Sequence, residues 1–84
     1  MIYYLINCRS LTYAQRAKRI LERAGISAYI TRTPQGLAKD GCSHSVKVSE
    51  RRFEMAMEIL KQVDFPITRV YMSDGEGRYS EVLE

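Results

Sequence analysis

Apolar residues recur along this chain in two rhythms, and the switching between them marks out its elements. Ile2 to Cys8 is dense in aliphatic and aromatic side chains and reads as a first strand, apolar on both faces and therefore central in its sheet. From Thr12 the period lengthens. Ala14, Ala17, Leu21 and Ala24 recur at helical spacing with Ile20 beside them, while Arg16, Lys18, Arg19, Glu22 and Arg23 fall on the wet side. Thr12 and Gln15 fit a capping box at the start of this helix, and Gly25 fits a left-handed cap at its end. Ile26 to Thr33 returns to alternation and predicts a second strand, with Ala28 and Ile30 on one face and Tyr29 and Thr31 on the other. Pro34 ends it.

The stretch from Pro34 to Gly41 carries the Pro and Gly of a loop, long enough to raise a functional question. His44 to Val48 predicts a third strand with Val46 and Val48 inward. Ser49 then stands ready to cap a second helix lined by Phe53, Ala56, Leu60 and Val63 and flanked by Met57. Asp64-Phe-Pro66 stops that helix, and Ile67 to Met72 predicts a fourth strand. After it, Ser73-Asp-Gly-Glu-Gly77 breaks the pattern. The order β-α-β-β-α-β with right-handed crossovers folds most simply as an α+β, ferredoxin-like split fold. Its four-stranded antiparallel sheet would have the order 4-1-3-2, with both helices on one face. We therefore expect one domain over residues 1–72 and a loose acidic tail over 73–84, in which Tyr79, Val82 and Leu83 are able to dock.

Composition narrows the function classes. In 84 residues, 45% hydrophobic and 27% charged, the chain is too apolar for disorder, and its apolar runs are too short to span a bilayer. No basic segment with a small-residue cleavage site marks a secretory signal, so the chain reads as cytoplasmic. Residues 1–72 hold 12 Lys and Arg against 6 Asp and Glu, whereas the last twelve residues hold one Arg against four acids. That surplus suits an anionic partner without the dense basic clustering of nucleic-acid domains. Two cysteines, Cys8 and Cys42, are too few for a disulfide scaffold and point to thiol chemistry or to small core residues.

In the expected topology the end of strand one, the start of strand three and the start of the first helix share one rim. Cys8, Cys42 and His44 should gather there. Cys42 lies in Asp40-Gly-Cys-Ser-His44 at the exit of the long loop, with Arg9, Arg16, Arg32, Lys39, His44 and a helix N-terminus able to favour its thiolate. Asp40 opposes them. Cys8, ending a central strand, is explained well by packing, although a disulfide to Cys42 is geometrically possible if Cys42 lies beside the end of strand one. His44 fits a strand-edge residue bonded to backbone better than a catalytic base. A metal site is not expected, because Cys8, Cys42 and His44 supply three ligands and the C-x-x-C position reads Asn7-Cys-Arg-Ser10. Tyr3, Tyr29 and Tyr71 fall on the sheet face without helices. RNA stacking there would want an aromatic basic motif on strand three, which Ser43-His-Ser-Val-Lys-Val48 lacks. Coverage by a second subunit explains such a face better.

Together, Arg9-Ser-Leu-Thr-Tyr-Ala-Gln-Arg16, Ala24-Gly-Ile26, Arg32-Thr-Pro34 and Gly41-Cys42 resemble the small bacterial selenium/sulfur carrier-like family over roughly residues 3 to 72. Members often have Gly after the Cys, where this chain has Ser43. The resemblance implies that Cys42 is the carrier residue. The expected function is then a thiol-based carrier rather than a turnover enzyme, needing no cofactor. It would hold a persulfide or selenide on Cys42 and pass it between protein partners, such as a cysteine desulfurase or selenocysteine lyase donor and an acceptor. Arg9, Arg32 and His44 would steady the anion, with Cys8 as resolving thiol and Leu37 to Lys39 on the loop entering a partner's site. The alternative is a dimeric binding or regulatory module that uses the open sheet face, with both cysteines incidental.

Overall fold

The computed structural model describes residues 1–38 and 43–82. The elements run β1 (Tyr3–Cys8), α1 (Leu11–Arg23), β2 (Tyr29–Arg32), β3 (His44–Ser49), a 3-10 turn (Glu50–Arg52), α2 (Phe53–Gln62), β4 (Val70–Ser73) and β5 (Tyr79–Glu81). The sheet is antiparallel, five-stranded and ordered β2-β3-β1-β4-β5. Its first four strands stand in the expected order. The fifth corrects the expectation of four. Ser73 to Gly77 was read as a break into a tail, but its Asp-Gly pair makes a hairpin turn. The Asp74 carboxylate accepts from the backbone N–H of Glu76 (2.7 Å) and of Arg78 (3.2 Å), and the Gly75 N–H donates to Ser73 Oγ (3.1 Å). Gly75 has φ +83 with the backbone of Met1 packed against it, so a side chain there meets strain and contact at once. Beyond the turn, the Val82 N–H extends the pairing to Val70 O at 2.8 Å, and Arg69 bridges to Glu81 at 2.9 Å.

Period-two alternation in the strands sends Ile6, Cys8, Val46, Val48 and Val70 to one face, where they meet Ala14, Ala17 and Leu21 of α1 and Phe53, Ala56, Met57 and Leu60 of α2. Both helices thus pack on the same side of the sheet. Small residues on α1 bring its backbone close, and Leu21 and Leu60 are fully buried, each contributing about 1.5–3 kcal/mol by leaving water. Tyr4 stacks on Phe53 with ring centroids 3.8 Å apart, while Tyr13 meets Phe65 edge-on at 6.2 Å.

Cap assignments shift slightly. Ser10, not Thr12, is the N-cap of α1, its hydroxyl accepting from the Tyr13 N–H at 3.4 Å; extended backbone at Ser10 lets the helix begin two residues earlier. Ser49 precedes the 3-10 turn without a side-chain cap bond, and Val63, placed on the buried stripe by periodicity, falls after the end of α2 and is exposed. Gly25 closes α1 at φ +84, as its position suggests. Among the described residues no helix is long and apolar enough to cross a membrane.

Candidate functional site

Strand register assembles one rim from three elements. Cys8, the last residue of β1, pairs with His44, the first of β3, and His44 pairs in turn with Arg32, the last of β2. All three belong to the row facing the helices. Cys8 has no exposed surface, and its thiol donates to Ile6 O at 3.5 Å, so it is part of the core. His44 is half-buried, and its Nδ1 shares a hydrogen bond of 2.9 Å with Ser43 Oγ. Arg32 is exposed, as is Arg9, which lies just beyond the end of β1. The N-terminus of α1 opens at the same rim, and its first turn, Leu11-Thr-Tyr-Ala14, carries no carboxylate to offset the positive end of the helix dipole. Arg16 is exposed on the next turn. Cys42, with Lys39, Asp40 and Gly41, lies outside the described residues.

The two arms of the loop carrying Cys42 are described, and both are tied down. At the base, the Thr33 N–H donates to Ser43 O at 3.0 Å. Further along, Pro34 to Leu37 forms a turn closed by the Leu37 N–H on Pro34 O (2.9 Å), with Gly36 at φ +93 in the third position as a type II turn requires. This turn folds over the sheet face opposite the helices. There the Asn7 Nδ2 donates to Leu37 O at 3.1 Å, and the Asn7 Oδ1 accepts from Ser45 Oγ at 2.7 Å. Thr33 Oγ1 lies 2.7 Å from the same Ser45 oxygen. The one Ser45 proton is committed to Asn7, so Thr33 is the donor in that pair and the hydroxyls form a directed chain from Thr33 through Ser45 to Asn7.

Asn7 is fully buried, and its backbone is engaged as well: its N–H donates to Arg69 O at 2.8 Å, and its carbonyl accepts from Thr68 Oγ1 at 3.1 Å. Sequence reading missed this residue as a functional candidate. The signal was a lone carboxamide inside the apolar run of a central strand, where an uncompensated polar group costs about 1–3 kcal/mol.

The other end of the same face is aromatic. Tyr3, Tyr29 and Tyr71 do share it by register, yet they differ in access: Tyr29 is 63% exposed, Tyr3 half-buried and Tyr71 4% exposed. Lys47 Nζ sits 4.5 Å from the centre of the Tyr3 ring. A hydrogen bond with Ser73 holds the Tyr3 phenol below its ordinary value, whereas burial pushes that of Tyr79 up. A groove of about 660 Å³ opens beside this patch, lined by Met1, Ile2, Tyr3, Tyr29, Lys47 and Val48 among others. With Tyr71 buried, the face offers no continuous row of rings for stacking bases. Among the described residues no cluster of His, Cys, Asp or Glu is placed to hold a metal ion.

No curated protein and no solved structure matches this chain. A family model does, over residues 3–72, which takes in the rim, both arms of the loop and the first four strands up to Met72. Its description is "Putative Se/S carrier protein-like", and with most of the chain matched, this protein belongs to that family.

Proposed function

We propose that the protein carries sulfur or selenium as an adduct of Cys42 and works between protein partners. Family membership over residues 3–72, a span that includes Cys42, is the observation that carries this reading. The surroundings support it: exposed Arg9 and Arg32, half-buried His44 and an uncompensated helix N-terminus meet at the rim from which the loop leaves. Positive potential of this kind favours a thiolate, and the thiolate is the nucleophile. In loading, the Cys42 thiolate attacks the outer sulfur of a donor persulfide, R–S–SH. The new S–S bond forms as the donor's S–S bond breaks, leaving Cys42–S–SH and the donor thiolate; no net oxidation occurs. Delivery repeats the exchange on an acceptor thiolate. A selenium adduct follows the same course with selenium as the outer atom. Cys8 enters as packing, because exchange at a fully buried sulfur first requires the core to open.

The test is direct. Purified protein treated with a low-molecular-weight persulfide should gain the mass of one sulfur, and Cys42→Ser should abolish the gain. No adduct in the native chain, or an adduct that survives in the variant, removes the reading.

The exposed Tyr29 and Met1 beside the groove favour a second reading, in which this face joins two copies of the chain. On that reading Tyr29→Ala weakens self-association, seen as a lower mass in sedimentation at fixed concentration, and Cys42→Ser leaves it unchanged.

A further inference from the structure

We infer that the outward crest of α1, built on Arg16, Arg19 and Arg23, is a docking surface for a carboxylate-rich face of a partner protein. The basic surplus of the chain is uneven: residues 9–25 hold five cations against one acid, whereas residues 50–62, which include α2, hold three against three. At 3.6 residues per turn, Arg16, Arg19 and Arg23 fall within about 60° of one another and span about 10 Å along the helix. They are exposed, on the side turned away from the buried stripe of Ala14, Ala17 and Leu21. None of the three has an ion-pair partner among the described residues. The single acid of the segment, Glu22, is taken up by Lys18 at 2.7 Å and does not offset the crest. Like charges set this close repel one another, and a partner's carboxylates relieve that repulsion. Arginine at all three places suits carboxylates, which its planar fork binds through paired hydrogen bonds.

The flank of the crest favours a protein over a nucleic acid. Between α1 and the outermost strand β2, a groove of about 360 Å³ is lined by Gln15, Lys18, Arg19, Glu22 and the half-buried Ile30. Leu11, one turn before Gln15, is 43% exposed. Apolar side chains beside the cations offer a protein partner contacts that a phosphate backbone does not use. Tyr13, the aromatic residue of α1, is half-buried edge-on to Phe65 and so is not free to stack on a base. Three phosphate contacts alone would give an affinity that falls steeply with salt. This surface is described in full and works without reference to the thiol.

The test titrates the isotope-labelled chain, followed by backbone amide NMR, with a synthetic peptide of six glutamates interrupted by two leucines. Salt is held at about 0.1 M, where charges more than about 10 Å apart are largely screened. Shifts should concentrate on residues 15–23 and Ile30. The triple variant Arg16→Gln, Arg19→Gln, Arg23→Gln should bind the peptide about tenfold more weakly. A second triple variant, Arg51→Gln, Arg52→Gln, Lys61→Gln, removes the same charge from the other helical region and should bind within about twofold of the native chain. Equal loss in both variants, shifts centred away from α1, or no shifts at all overturns the inference. So does a single-stranded oligonucleotide of matched charge that binds more tightly than the peptide and is lost in the first variant, because the crest is then a nucleic-acid surface. No sulfur donor is present in the titration, so its outcome is independent of persulfide loading. A chain that loads without binding the peptide overturns the docking surface alone, and one that binds without loading supports the docking surface and removes the carrier reading alone.

Discussion

On the helix side of the sheet, Ile6, Val46, Val48 and Val70 lie under Ala17, Leu21, Ala56 and Leu60. On the other side, Asn7, Ser45 and Ser73 reach the same near-zero exposure with no helix above them. The first face is buried by matching apolar volumes, a non-directional arrangement that tolerates replacement of one aliphatic group by another of similar size. The second is buried by the chain's own loop turn and by neighbouring side chains, and it depends on directed hydrogen bonds. Apolar burial holds the domain together; the polar face ties down the Pro34–Leu37 turn. A domain of this size has room for one hydrophobic core, so precision elsewhere has to come from polar contacts.

Three substitutions probe that contrast, and all are read as shifts of the urea unfolding midpoint. Leu60→Ala on the helix face should have the largest effect, a loss of about 2–5 kcal/mol from lost transfer energy plus the cavity left behind. Ser45→Ala on the other face should cost about 1–3 kcal/mol, because it strands the Asn7 oxygen and the Thr33 hydroxyl together. A cost equal to that of Leu60→Ala would mean that the polar network holds the fold as much as the core does. Tyr71→Phe should be the smallest and opposite in sign. The Tyr71 hydroxyl is buried with no partner among the described residues, so removing it should raise stability by about 1 kcal/mol. A loss instead would show that the hydroxyl has a partner after all.

What could be read from the residues follows the same division. The first helix is legible because its stripe of Ala14, Ala17 and Leu21 is strictly periodic, and the central place of β1 follows from apolar residues on both faces. The Cys8–His44 pairing follows once β1 and β3 are neighbours, since the topology brings the end of one beside the start of the other. β5 escaped notice because three residues, Tyr79-Ser-Glu81, are too few to display an alternation, and their pairing depends on a turn whose Asp-Gly signal also fits a chain end. The Asn7 network was illegible for a different reason. Its bonds join residues 30 and 38 positions apart, and no local rhythm encodes a contact between a strand and a loop at that separation. Polar partners of this kind emerge only from the folded chain. The expectation that Cys42 is the carrier residue came from a family resemblance and from the charged groups expected at its rim; Cys42 itself lies outside the described residues.

The strand order also bears on how this protein avoids its own kind of misassembly. Its two six-residue strands, β1 and β3, lie inside the sheet, while the outermost, β2 and β5, have four and three residues. An intruding polypeptide that tries to zip onto a border finds room for a bond or two before the template runs out, and at β2 it must also pass the charged end of Arg32. The length that would seed a fibril is kept where no stranger can reach it.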